Sequence, residues 1–555
     1  MLTSGGVGAR LRDHAITLAL LLAVTVPFSG KAFHIDDAFY LAIARNIERQ
    51  PLRPYDGAVA LDDTDHRVFA ARGASANTFE TLSHPPLVPY VIAGVAWVAG
   101  GLRERPEHLV FIVFPLFAAY FQYRLGARFT GTPLWATLGL TVAPIFVLGS
   151  HGLMTDVPAL ALSLGSLALF VEGMDSGRPA RLVGAGVLAG LAIVTRYVAL
   201  GLVPLAAAYV VLQRAPARRA GLALLPLLAV VGAWSVQNLL VHGAIHVEAS
   251  ARHYAAYYAG RYFSAEEIAW RAFGDVASLG GTSIPLAVLF ATSSRGALFR
   301  LLAVAGAAVA AVALATWVLP AMADYSPRQL AALAACLAAG SFLVVEAFRR
   351  ASRDGDGRFL AVWLAGGLLG TIVLLPFAAA RYMLTVLPPL ILLLFSGPPL
   401  PRPRPAARVA AIAASAALAL ALAVADYEYA GAYRTFAGEL TAAESPRRVW
   451  FLGDWGFRYY METAGHRYLL STDDTPGEGD IVVRPRTAAL HSLSRHLSAR
   501  VETARTVDVQ GHVPLRLMNE PAKAGFYSHG WGLLPFAFSR APLEAFEVLR
   551  VHGER

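Results

Sequence analysis

Two shortages set the first limits. The chain of 555 residues holds a single cysteine, Cys336, inside an apolar run. An intrachain disulfide is therefore impossible, and a cysteine-based metal site is excluded. Charge is scarce as well. Asp, Glu, Lys and Arg make up 15% of the residues, where soluble domains run nearer a quarter. The net charge of +9 does not point to nucleic acid, because the arginines sit in short loops between apolar runs and report topology instead. No inverted repeat of spans is visible, and few charges interrupt the runs. Both absences weaken a transporter reading.

What is present is apolar. These residues make up 56% of the chain, and their runs recur from His14 to Ala425 and then stop. Residues 426–555 are mixed, charged and rich in turn residues. The expected fold is an all-α polytopic membrane domain over residues 1–425, followed by a small soluble α/β domain over 426–555. The first apolar run, His14–Phe28, follows Arg10 and Arg12. Ser29-Gly30-Lys31 is a poor cleavage site and more spans follow, so an uncleaved first span is expected.

Spans are expected at His14–Phe28, Leu109–Tyr123, Leu134–Ser150, Val157–Val171, Leu182–Val194, Tyr197–Leu212, Ala220–Val241, Thr282–Thr292, Ala297–Leu319, Gln329–Ala347, Phe359–Ala379, Tyr382–Phe395 and Val409–Ala425. The run Val88–Gly100 is ambiguous, and the positive-inside rule decides it. If it lies along the outer interface, eighteen loop arginines fall on the cytoplasmic side, while the short outer loops keep only Arg196, Arg328 and Arg381. If it crosses, every later loop inverts. About thirteen spans are therefore expected, with the N-terminus inside and the C-terminal domain extracytoplasmic. The run Arg181–Gln213, at about 50 Å as one helix, is too long for a single crossing and is split at Thr195-Arg196-Tyr197. Two long outer segments remain, 31–86 and 242–281, and loops of that length are usually functional or carry short helices of their own.

Candidate chemistry gathers on the outer side. Asp36 and Asp37 follow the first span, and the apolar spacing of Phe39, Tyr40, Ile43 and Ile47 predicts an amphipathic helix with one of them as its N-cap. Adjacent carboxylates at a membrane boundary also suit a general base. His84, in Ser-His-Pro-Pro-Leu, sits at a rigid corner, placed to donate to a phosphate or simply solvated. Asp156, between Thr155 and Pro158, either caps the next helix or serves the same face. Arg196-Tyr197 and Arg381-Tyr382 oppose the topological bias. They suit either a lipid phosphate or ordinary snorkelling to head groups. Arg252, His253, Tyr254 and Arg261 belong to an aromatic–cationic stretch suited to an interfacial helix or to a phosphate with a stacked sugar. No metal-ligand cluster is evident, and a divalent cation (Mg or Mn) held by the acidic residues stays open.

These landmarks, in order, resemble the GT-C fold membrane glycosyltransferases, closest to the aminoarabinose and protein O-mannosyl transferases. The resemblance rests on Asp36-Asp37, His84 to Leu87, Thr155-Asp156, Thr195-Arg196-Tyr197 and Arg381-Tyr382 with Pro388-Pro389, and covers roughly Asp13 to Ser396. It departs from the aminoarabinose pattern, which carries lysine where His84 and Arg196 stand, so the donor sugar stays open. The resemblance implies an inverting transferase in the cytoplasmic (inner) membrane that takes a sugar from a polyprenyl-phosphate donor. The acceptor would be a hydroxyl of a glycan, lipid or protein. Asp36 or Asp37 would be the base, and His84, Arg381 and Arg261 or Arg252 would face the phosphate. The rivals are a transporter or flippase for a lipid-linked or anionic solute and a non-catalytic assembly protein.

In the C-terminal stretch, Arg448–Gly453, His466–Leu470 and Asp480–Val483 read as strands and Trp455–Thr463 as a helix. Gly453-Asp454-Trp455-Gly456 lacks a full phosphate-binding glycine pattern. Trp455, Tyr459 and Trp531 are expected to pack in the core or on the surface, with acceptor binding as the alternative reading.

Overall fold

The computed structural model describes residues 6–55, 84–257, 263–396, 404–444, 447–469, 476–488 and 493–553, without the side chains of 253–257. Among them, eight helices are long and apolar enough to cross a membrane: Val7–Phe28, Glu104–Phe129, Asp156–Ser176, Ala217–His242, Arg295–Val318, Pro327–Arg350, Gly355–Leu374 and Pro405–Glu444. A ninth would be the pair Ala265–Thr282 and Ile284–Ala291, bent by 73°. The protein is a multi-pass membrane protein.

The remaining expected spans are short or broken, and the breaks have local causes. The run 134–150 divides into Pro133–Thr141 and Pro144–Gly149, because Pro144 has no N–H to continue the first helix. The run 181–213 breaks where expected, into Pro179–Ile193, a 3₁₀ turn Tyr197–Gly201 and Leu202–Leu212. Upstream of Leu387–Phe395 the chain is another 3₁₀ turn, Ala380–Thr385. Leu87–Ala99 is a helix of 13 residues, about 20 Å long and too short to cross unaided.

The two ends of the helix Asp156–Ser176 collect different chemistry. Near its C-terminal end, Arg128 bonds Asp175 at 2.7 Å and Asp356 at 2.6 Å, and Gln213 donates to Asp356 at 2.6 Å. These residues flank loops expected on the inner side. At the N-terminal end, some 30 Å away, lie Asp156 and the candidates expected on the outer side, described below. Glycine fixes one close helix contact. A Cβ on Gly280 would stand 1.8 Å from Cys336 O, and one on Gly340 would stand 2.2 Å from Val276 O. Only glycine lets Ala265–Thr282 and Pro327–Arg350 approach so closely.

The C-terminal stretch carries a five-stranded sheet. Its strands are β1 (Val449–Phe451), β2 (Arg467–Tyr468), β3 (Ile481–Pro485), β4 (Val501–Val509) and β5 (Glu544–Val551), in spatial order β2-β1-β3-β5-β4. The β1 contacts are parallel, and β5 is antiparallel to both neighbours. The expected strands and the helix Trp455–Thr463 are all present. The helix Pro405–Glu444 runs on without interruption past Ala425 and packs against this stretch. Phe436 stacks on Phe546 with ring centroids 3.7 Å apart.

Candidate active site

Asp36 and Asp37 are neighbours in sequence with different surroundings. The helix Asp37–Arg49 starts as its apolar spacing predicts, and Asp36 occupies the N-cap position. Neither carboxylate caps that helix, however, because there is no side-chain cap bond. Asp37 is fully buried. Its Oδ2 accepts the His34 N–H at 2.9 Å and its Oδ1 accepts the Leu153 N–H at 2.8 Å. It pins the loop before the helix to the loop before Asp156. Burial pushes its carboxyl up to about 6, against the opposing pull of Lys31 and the two backbone donors.

Asp36 turns the other way. Its side chain keeps 32% exposure and accepts from Arg381 Nη1 at 2.8 Å. The residue before it, Ile35, has φ +48, a conformation costly for a β-branched side chain and one that clusters at functional sites. The strained turn aims one carboxylate into the protein and the next toward Arg381.

A second ion pair lies beside the first. Asp156 begins the helix Asp156–Ser176, and its Oδ1 pairs with Arg196 Nη1, both side chains being 7% exposed. It does not cap the helix. Thr155 holds the N-cap position, and no side-chain cap bond forms. Charge attraction to Arg196 takes the carboxylate instead. Arg196 Nη1 also lies 3.4 Å from Thr155 Oγ1, which is 3.5 Å from the Tyr40 hydroxyl. The Tyr382 ring joins the two pairs, since the guanidinium carbons of Arg196 and Arg381 stand 5.3 Å and 5.4 Å from its centroid. Each such contact is worth about 0.5–2 kcal/mol. Asp36, Arg381, Tyr382, Arg196 and Asp156 thus form a row in which two carboxylate–guanidinium pairs flank one aromatic ring.

Two buried atoms of this row, Arg381 Nε and Asp156 Oδ2, have no hydrogen-bond partner among the described residues. A buried donor left open costs about 1–3 kcal/mol, and an anion placed beside Arg381 would satisfy it.

His84 lies at the edge of the row, its ring 6.5 Å from that of Tyr40 and nearly parallel to it. The Tyr55 hydroxyl holds its carbonyl at 2.7 Å. Tyr197 belongs to a neighbouring aromatic group, where its hydroxyl meets His246 Nδ1 at 2.6 Å and His246 stacks on Tyr55. Arg252 is exposed, and its side chain lies 3.5 Å from Glu248. His253 and Tyr254 fall on the helix His246–Tyr257, with side chains outside the described residues, and Arg261 is also outside them.

Sequence reasoning passed over Tyr40, Met154 and Lys31. Tyr40 stands four residues after Asp36, one helical turn on the same face, and that spacing was the available signal. Met154 Sδ lies 3.6 Å from Arg381 Nη1. Among the described residues, no three His, Cys, Asp or Glu side chains are grouped to hold a metal ion.

Comparison with known proteins gives remote likenesses. ArnT from Cupriavidus metallidurans, solved bound to undecaprenyl phosphate, is 16% identical, with 88% of this chain and 97% of that one covered and a TM-score of 0.45. Its apo structure gives 14% identity, 99% coverage of both chains and a TM-score of 0.46. The Archaeoglobus fulgidus oligosaccharyltransferase AglB, solved with an inhibitory peptide and a dolichol-phosphate, gives 13%, coverages of 85% and 69%, and 0.47. Likenesses this distant carry no residue role. No curated protein matches. Residues 83–237, which include His84, Asp156 and Arg196 but neither Asp36 nor Arg381, match the model of the family described as dolichyl-phosphate-mannose-protein mannosyltransferase, and the resemblance drawn from the motifs to GT-C membrane glycosyltransferases holds.

Proposed function

We propose that this protein moves a sugar from a polyprenyl-phosphate donor to an acceptor hydroxyl, with inversion, at the outer face of the cytoplasmic membrane. The observation that carries the reading is the Asp36–Arg381 pair. It sets a partly exposed carboxylate 2.8 Å from a buried guanidinium whose Nε has no partner among the described residues.

The chemistry follows from competition for Arg381. In the resting protein Asp36 is its anion. A lipid phosphate entering beside Arg381 takes over that role, and arginine grips phosphate with two parallel donors. Asp36 is then freed from its ion pair with Arg381. It accepts the acceptor's proton as the acceptor oxygen bonds to the anomeric carbon from the face opposite the phosphate. The bond from that carbon to the phosphate oxygen breaks, and the electron pair leaves on the lipid phosphate. Arg381 stabilises the departing charge. Arg196, held by Asp156 and stacked on Tyr382, adds positive potential from behind the ring, and His84 stands where a phosphate oxygen could meet it.

Asp36 is the base in this reading. Asp37 has both oxygens engaged by backbone donors and holds the loops. Divalent cations remain compatible with it, since Asp36 keeps part of its surface exposed. The acceptor class, glycan, lipid or protein, is left to experiment, and residues 426–555 stand on the extracytoplasmic side.

The test is transfer by Asp36→Asn in membranes supplied with labelled polyprenyl-phosphate sugars. Loss of a catalytic base typically costs 10²–10⁴-fold. Transfer at the wild-type rate would overturn the assignment.

A further inference from the structure

The segment Phe526–His529 is tied to the chain just before Arg381 and, through Asp426 and Lys31, to the chain just before Asp36. On one side it holds two of the three residues that precede Arg381, Ala378 and Ala380. Ala380 N–H donates to Phe526 O at 2.8 Å, and His529 N–H donates to Ala378 O at 2.9 Å. The Ala378 N–H in turn donates to His529 Nδ1 at 2.9 Å. Ala378, Ala379 and Ala380 are all buried, so these bonds are sheltered from water. Ala378 also abuts Gly274, where a Cβ would stand 2.6 Å from the Ala378 Cβ. The backbone feeding Arg381 is therefore confined by a helix on one side and by this segment on the other.

Between those grips, Tyr527 is linked through Asp426 and Lys31 to the stretch that precedes Asp36. Its hydroxyl donates to Asp426, 3.0 Å from Oδ1 and 2.9 Å from Oδ2. Asp426 Oδ2 accepts Lys31 Nζ at 2.5 Å, with both side chains almost fully buried. Lys31 is one of two lysines in the chain and begins the short stretch that ends at the strained Ile35 and Asp36. The His34 ring stands edge-on to Tyr527 at 5.5 Å. A buried ion pair is a poor stabiliser and a good specifier of one geometry.

We propose that Phe526–His529 is a positioning clamp that sets the separation of Asp36 and Arg381, and that this is a task of the C-terminal stretch. The proposal rests on the reading of Arg381 as the phosphate ligand. His529 is a positioning residue and touches no substrate. Its Nδ1 accepts from Ala378, so its ring proton sits on Nε2. Burial, which pushes the imidazole down, favours that neutral form.

The position of the acceptor on the ring makes the clamp testable. Asparagine places Oδ1 where histidine has Nδ1. Glutamine puts its acceptor one bond farther out, and leucine has none. Each variant is purified, its monodisperse fraction is taken, and affinity per folded molecule is measured for undecaprenyl phosphate, with undecaprenol as the control lacking the phosphate. His529→Asn should bind within about threefold of wild type, whereas His529→Gln and His529→Leu should bind about tenfold more weakly. A purely structural histidine would reduce the yield of folded protein and leave the affinity of what folds unchanged. If His529→Gln or His529→Leu binds as wild type does, the clamp fails alone. If wild type does not prefer undecaprenyl phosphate to undecaprenol, the phosphate reading of Arg381 fails and the clamp falls with it.

Discussion

Asp37 Oδ1 accepts the Leu153 N–H at 2.8 Å across 116 residues of sequence, and with His34 N–H on its other oxygen it ties two loops of the candidate site together. Asp37→Ala leaves two buried donors without acceptors, at about 1–3 kcal/mol each. Thermal unfolding in detergent should show a lower midpoint for Asp37→Ala than for Asp36→Asn, whose amide oxygen still accepts from Arg381. Transfer should show the reverse ranking per folded molecule. Equal stability of Asp37→Ala and wild type would remove the staple.

The same carboxyl gives a pH signature. Its folded value is raised to about 6 by burial, against an unfolded value near 3.8. A raised value means that the folded state holds the proton more tightly. The contribution is therefore complete below about 4 and is lost as pH rises through 6. The midpoint difference between wild type and Asp37→Ala should shrink as pH increases from 4 to 7. A difference that is flat, or grows, across that window would show that the group does not titrate there.

Much of this arrangement was legible from the sequence, and what was missed shares a cause. Short motifs fixed the order of Asp36, Asp156, Arg196 and Arg381, and the arginine asymmetry put all four at one end of the helices. The break at Thr195-Arg196-Tyr197 followed from length alone. The sequence could not separate Asp36 from Asp37, because adjacent side chains point apart only once the Ile35 turn is known. Nor did it reveal the link among Lys31, Asp426 and Tyr527. Those contacts close loops of 395 and 101 residues, and no local periodicity encodes them. The capping expected of Asp36 or Asp37, and offered as one reading of Asp156, did not form, since Asp36 and Asp156 each pair with an arginine and Asp37 takes two backbone donors.

Arg381 supplies a further test. Arg381→Lys keeps a cation within reach of Asp36 but removes the planar fork and the open Nε donor. Lysine meets phosphate as a point charge. Affinity for undecaprenyl phosphate should fall about tenfold, the equivalent of about 1.4 kcal/mol, with the unfolding midpoint nearly unchanged. If Arg381→Lys binds as wild type does, the guanidinium is not the phosphate ligand.

The Arg196–Asp156 pair separates stability from activity. Both side chains are 7% exposed, so removing one partner strands a nearly buried charge, at about 3–5 kcal/mol. Arg196→Met and Asp156→Leu should each lower the unfolding midpoint markedly. The double variant should recover most of that loss, because an apolar pair of similar size leaves no orphan charge. Transfer should not recover with it, since positive potential behind Tyr382 is then absent. A double variant that regains both stability and transfer would reduce the pair to packing and leave Asp36 and Arg381 as the charged centre.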